Sequence, residues 1–209
     1  MTKQIPEQFL KWAFHERAAL IRRQAQGEKV PPHEIFLGFT RHNPTIISNG
    51  SAGLNGSIKG VGFVPRAEYF DETLARYLEH INRGWREGYS QAGLQILMQT
   101  MYGDGCDQRI DFSVFGSLEL AKKHTYANLH ENNQITLLFY EPPATSFEVR
   151  GRVEIFEEGS TYHRYVNAQH DVYHKPNPAR WANRPAYLFH IEEIFDNSST
   201  EKGFGTLIF

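Results

Sequence analysis

Apolar residues recur along this chain at two spacings, which predict its strands and helices. Between residues 147 and 155, apolar residues and one glycine alternate strictly with charged residues, the period of a strand with one buried face. Runs rich in apolar residues predict further strands at 109–118, 135–140 and 186–195. The second half of the chain is therefore expected to be rich in strands.

Helical spacing dominates elsewhere and predicts helices over residues 7–24, 68–83, 91–101, 121–132 and 162–173. In the first of these, Phe9 and Phe14 belong to the apolar face, and Arg17, Arg22 and Arg23 are assigned to the opposite, polar face. The region that follows is harder to interpret. Residues 34–40 are read as a strand, and five glycines between residues 50 and 62 predict a loop-rich connection.

Length and composition limit the function classes. The 209 residues suit one domain, and Lys+Arg 22 against Asp+Glu 24 gives a net charge of −2, which argues against a nucleic-acid-binding protein. The single cysteine, Cys106, has no partner for an internal disulfide. No window holds 18 apolar residues, and the N-terminal stretch lacks the apolar region of a signal peptide. A cytoplasmic protein with no membrane contact is expected.

Several segments of the second half carry a family resemblance. Residues 125–139 contain an Asn128-Leu129 pair and a further asparagine before a strand, and the strand 149–153 has a central glycine. These segments, with the strand 186–195 and the glycine-containing tail 203–205, resemble the flavin-binding split-barrel group that includes the pyridoxamine-phosphate-oxidase-like proteins. The resemblance covers about residues 109–209.

The resemblance implies a mainly β, α+β fold: a split β-barrel with peripheral helices and a helical N-terminal extension. Residues 1–108 are expected to form a helical, loop-rich part packed on the split-barrel part, 109–209, within one structural domain. It also implies an FMN-binding oxidoreductase that acts on a small-molecule substrate and pairs as a homodimer with the cofactor at the interface.

Five residues are the candidate cofactor site under this resemblance. Lys122, Lys123 and Thr125 precede or begin a predicted helix, whose N-terminus favours a phosphate, and Thr125 occupies the place of the family's usual lysine. Trp181 is a candidate to stack on the isoalloxazine ring, and Arg184 to pair with an anionic substrate. The alternatives are that the lysines solvate an exposed helix start and that Trp181 covers the core beside a surface arginine. No catalytic residue and no metal site is predicted.

Two other functions stay open. His170 and His174 are four residues apart in a predicted helix and share a face, which suits a haem contact, although a coincidental pair among 10 histidines is the favoured explanation. A haem-binding or haem-handling split barrel is therefore one alternative. The other is a small-ligand-binding module without catalysis, so whether the protein is an enzyme stays open.

Overall fold

The structure, a computed structural model, describes residues 4–209. Residues 1–3 of the predicted N-terminal part lie outside the described residues. The predicted first helix is confirmed as three consecutive pieces: α1 (Glu7–Leu10), a π-helical turn (Lys11–His15) and α2 (Glu16–Ala25). The strand predicted at 34–40 is wrong, because this segment forms helix α3 (Pro32–Thr40). Pro32 suits a first helical turn, where a backbone N–H has no partner to lose.

Eight strands form one antiparallel sheet in the order β2-β1-β5-β6-β7-β4-β3, with β8 added to β7. The strands are β1 (Thr45–Ser48), β2 (Asn55–Ile58), β3 (Val61–Pro65), β4 (Ile110–Leu118), β5 (Gln134–Glu141), β6 (Thr145–Phe156), β7 (Ala186–Asp196) and β8 (Thr206–Leu207). The four strands predicted in the second half are confirmed. The loop predicted between residues 50 and 62 is wrong in part, because β2 and the first two residues of β3 lie there.

The sheet must curl, because its two edge strands are neighbours in sequence. Strands β2 and β3 lie at opposite ends of the strand order, yet only two residues separate Ile58 from Val61. Seven flat strands would span about 29 Å between their edges, whereas three Cα steps reach at most about 11 Å. The edges therefore come together, and the architecture is a split barrel of the α+β class.

Helices cover the barrel and contribute to its interior. The remaining helices are α4 (Ala67–Asn82), α5 (Tyr89–Leu97) with a π-helical end (Met98–Tyr102), α6 (His124–Glu131) and α7 (Thr161–Asp171), with short 3₁₀ turns at Cys106–Arg109 and Pro178–Asn183. Helix α7 lies against β3, where the Tyr165 hydroxyl donates to the carbonyl of Phe63 at 2.9 Å. Among residues 4–209, no helix is long and apolar enough to cross a membrane.

The N-terminal helix is part of the core rather than an appendage. The ring of Phe9 lies 5.2 Å from that of Phe147, and the ring of Trp12 lies 5.7 Å from that of Phe139. All four side chains are buried. Because residues 4–108 also supply three strands of the sheet, the two predicted parts share one sheet and one core.

Candidate functional site

A cavity of about 530 Å³ lies between the N-terminal helices and the edge of the barrel where β2 is connected to β3. Its walls come from α2, α3, α5 and α7, from β3 and β4, and from the residues that follow α3 and α7. Most lining side chains are apolar, including Leu20, Ile21 and Val166. Its size and lining suit a small-molecule site, which is typically apolar with a few polar groups that orient the ligand. Because His42, His170 and His174 also line it, it is called the histidine cavity below.

Arg17 reaches into this cavity, which corrects its predicted place on the polar face of the first helix. The π-helical turn Lys11–His15 lies just before Arg17, so the α-helical period used for the prediction does not hold across this segment. The guanidinium carbon lies 5.7 Å from the ring centre of Tyr102.

Three histidines line the cavity, and the pKa values of two of them, His42 and His174, are lowered. Burial, followed by the charge of Arg17, lowers the pKa of His42 to about 3. Burial also lowers the pKa of His174, whose ring lies 4.7 Å from the ring of His170. Neutral imidazole is the form that binds a metal centre. Within residues 4–209, no group of three or more His, Cys, Asp or Glu side chains is arranged to hold a free metal ion.

Asp171 orients one of these histidines. Its Oδ1 lies 2.8 Å from Nδ1 of His170, and because an ionised carboxylate only accepts hydrogen bonds, Nδ1 must carry the proton. In a neutral imidazole, Nε2 of His170 would then be the nitrogen with the lone pair, and His170 lines the cavity. A carboxylate behind a histidine in this way fixes the tautomer and raises the basicity of the ring. The Asp171 side chain itself is only 1% exposed.

Two of the predicted cofactor residues, Trp181 and Arg184, both contact the carboxylate of Asp171. The indole N–H of Trp181 donates to Oδ2 of Asp171 at 2.9 Å, and Nη2 of Arg184 lies 3.3 Å from both carboxylate oxygens. Burial raises the pKa of Asp171, but hydrogen bonds from His170 and its other donors, with the Arg184 charge, outweigh it and lower the pKa to about 2. Neither Trp181 nor Arg184 lines the histidine cavity; both hold the wall that carries His170.

The other three predicted residues lie at the start of α6, outside the histidine cavity. The Thr125 hydroxyl is buried and already bonded to Nδ2 of Asn55 at 2.7 Å and to the Ser57 hydroxyl at 2.8 Å. No hydrogen bond or ion pair within residues 4–209 joins these three to Trp181 or Arg184. The structure therefore separates the five predicted site residues into two groups.

Two backbone donors just before α6 are bonded to a carboxylate. The N–H groups of Ala121 and Lys122 both donate to Oε1 of Glu119, at 2.7 and 2.8 Å. Glu119 is buried, and its Oε2 lies 2.6 Å from Nζ of Lys59. These donors are thus engaged by a carboxylate, which would repel a second anion. The side-chain amino groups of Lys122 and Lys123 have no carboxylate partner among the described residues, so their predicted role rests on these groups alone.

Two residues of the segment that carries the family resemblance, Thr125 and Asn128, connect helix α6 to strand β2 and to the turn before it. The Asn128 side chain is fully buried, accepts from the N–H of Ala52 at 3.0 Å and donates to the carbonyl of Gly53 at 2.8 Å. It therefore fastens the turn between β1 and β2 onto helix α6. Thr125 does the same for β2 through its bonds to Asn55 and Ser57.

No protein-family model and no curated protein sequence matches the chain. Solved structures of similar fold include HupZ from Group A Streptococcus, with 15% identity, 86% of this chain and 99% of that chain covered, and a TM-score of 0.47. A putative pyridoxamine 5'-phosphate oxidase from Lactobacillus delbrueckii is similar at 16% identity, with 80% and 93% covered and a TM-score of 0.42. A protein related to general stress protein 26 from Clostridium acetobutylicum is similar at 13% identity, with 80% and 87% covered and a TM-score of 0.44. At such identities the similarity concerns the fold alone.

Proposed function

We propose that the protein binds a flat, mostly apolar cofactor in the histidine cavity and that this cofactor is haem. The observation that supports haem is His170, an imidazole on the cavity wall whose Nδ1 is held by a buried carboxylate at 2.8 Å. A histidine oriented in this way is suited to hold a haem iron through Nε2. When bound, haem would supply the redox and oxygen chemistry of its iron.

The remaining lining would select the porphyrin body and exclude water. Leu20, Ile21 and Val166 offer apolar surface from two sides, and His174, whose pKa is lowered by burial, lies beside His170. Asp171 would keep His170 in place before the ligand arrives, which lowers the entropy lost on binding. The protein itself would therefore contribute a preformed pocket and one oriented histidine, His170, to hold the iron.

Haem titration followed by absorbance between 350 and 700 nm tests this function. The wild-type protein is expected to give a sharpened, shifted Soret band that saturates at one haem per chain. The variant with both His170→Ala and His174→Ala is expected to bind at least about tenfold more weakly. A control with His33→Ala and His190→Ala, two exposed histidines, should bind as the wild type does. A wild-type spectrum that matches free haem at every ratio would overturn the proposal.

An FMN-dependent oxidoreductase is the second candidate, supported by the amino groups of Lys122 and Lys123, which lack carboxylate partners. Quenching of FMN fluorescence by the wild-type protein, lost in the variant with both lysines changed to methionine, would favour it over haem.

The homodimer expected from the family resemblance stays a prediction. Light scattering after size-exclusion chromatography tests the homodimer, and a particle with the mass of one chain would refute it.

A further inference from the structure

Arg17 is a cation without a counter-charge. No hydrogen bond or ion pair joins its guanidinium to any residue in 4–209, and its Nη1 is buried without a partner. Its nearest aromatic contact, the ring of Tyr102, lies 5.7 Å away. No aspartate or glutamate is found among the described residues that line the histidine cavity, and His42 beside it is neutral above pH 3.

Two other arginines with little exposed side chain, Arg41 and Arg184, have carboxylate partners. Nη2 of Arg41 lies 2.7 Å from a carboxylate oxygen of Glu16 and 3.1 Å from one of Glu141. Nη2 of Arg184 lies 3.3 Å from the Asp171 carboxylate. Burying a cation without a partner costs free energy, and burial lowers the pKa of Arg17. An arginine held in this state at the wall of an apolar cavity is prepared for an anion that the chain itself does not provide.

We propose that Arg17 anchors the acidic group of the cavity's ligand and that this group is a carboxylate. The inference deepens the proposed function, since it names the ligand class of the same cavity and rests on that cavity being the ligand site. One uncompensated guanidinium balances one negative charge, and its planar fork matches the two oxygens of a carboxylate. A phosphate dianion would need further cations, and no lysine or second arginine lines the cavity within residues 4–209. The ligand is thus a flat apolar molecule with a carboxylate at one end.

A matched pair of fluorescent probes tests the charge directly. 1-Pyrenebutyric acid and its methyl ester share one flat apolar body and differ in a single carboxylate. The wild-type protein is expected to bind the acid at least about tenfold more tightly than the ester. Arg17→Gln should remove this preference by weakening the acid alone, and Arg17→Lys should restore part of it. Arg164→Gln, at an exposed arginine of α7, is the control and should leave both affinities unchanged.

Stability supplies a second readout that a purely structural arginine would not produce. Removing a partly buried cation that has no counter-charge should stabilise the ligand-free protein, so Arg17→Met is expected to raise Tm by about 3 °C while it weakens binding of the acid. If Arg17→Gln binds acid and ester as the wild type does, or if Arg17→Met lowers Tm, the anchor is refuted.

The haem and probe experiments separate the two proposals. If haem does not bind but the protein discriminates pyrenebutyric acid from its ester through Arg17, the haem assignment fails and the carboxylate anchor stands. If haem and its dimethyl ester bind equally well to the wild type and to Arg17→Gln, haem binding stands and the anchor fails.

Discussion

Replacing Asp171 with asparagine should destabilise the protein and disable its candidate haem ligand together. The amide keeps the shape of the carboxyl but removes the charge that Arg184 faces at 3.3 Å. A carboxyl whose pKa falls from 3.8 to about 2 on folding stabilises the folded state by about 2 kcal/mol at neutral pH. Breaking a buried ion pair from one side costs about 3–5 kcal/mol. Asp171→Asn should therefore lower the free energy of unfolding by about 3 kcal/mol at pH 7.

The pH dependence gives the sharper test. Because folding lowers the pKa of Asp171, its stabilisation is complete above pH 5 and is lost as the pH falls from about 4 towards 2. The wild type should therefore lose stability over that window, and the difference from Asp171→Asn should shrink with it. Urea unfolding followed by tryptophan fluorescence, at pH 7, 5, 4 and 3, measures both curves.

Two controls make the outcome specific. Asp104→Asn removes an exposed carboxyl and should change the unfolding free energy by less than about 0.5 kcal/mol. Adding Arg184→Met to Asp171→Asn removes the unpaired cation and should recover part of the loss. In a haem titration, Asp171→Asn should weaken binding about tenfold through the freed His170 ring. Equal stability of wild type and Asp171→Asn at pH 7, or parallel pH curves, would refute this reasoning.

Three further substitutions test the barrel itself. Gly151→Ala would place a methyl carbon 1.8 Å from a backbone carbonyl oxygen of β7 and should cost about 3 kcal/mol in urea unfolding; a near-neutral result would contradict the packing of β6 on β7. Phe139→Ala removes a fully buried ring and should cost about 4 kcal/mol, measured in the same way, whereas a loss under about 1 kcal/mol would place the ring outside the core. Glu119→Gln leaves Lys59 without its partner at 2.6 Å and should lower Tm by about 6 °C in calorimetry; an unchanged Tm would show that the pair does not stabilise the fold.

Long elements with a clear period could be predicted from the sequence. In β6, Val149 and Val153 are buried while Arg150 and Arg152 are exposed, as strict alternation requires of a strand with one face on a core. The amphipathic helix predicted at 68–83 is confirmed as α4, with Tyr77 fully buried. In both elements the pattern repeats often enough along the chain to be decisive without tertiary contacts.

The short strands β1, β2 and β3 could not be predicted. Strands β1 and β2 have four residues each and β3 has five, which is too few for a period to emerge. Their glycines suggest loops, but Gly62 permits a close approach instead, since an added Cβ would lie 2.2 Å from the side-chain oxygen of Gln169. Apart from the local β1–β2 hairpin, their pairing partners are distant in sequence: β1 also pairs with β5, and β3 pairs with β4.

The candidate site, too, could be predicted only in part. The sequence indicated His170 and His174 as a pair on one helical face, and the structure places both at one cavity. It misassigned Arg17, because a charged residue in an amphipathic helix is normally solvated, and a helical period does not reveal which neighbours lack a carboxylate.

By itself, the sequence determined the main strands of the second half and the main helices, because periodic burial is a property of each segment, while the fold class followed from the family resemblance of residues 109–209. Only the tertiary structure decided that the edges of the sheet meet, that Asp171 gathers His170, Trp181 and Arg184, and that Arg17 faces an apolar cavity alone. The physical reason is that the state of a charge or the shape of a cavity depends on its neighbours in space, and some of these neighbours, such as Tyr102 beside Arg17, are far away along the chain.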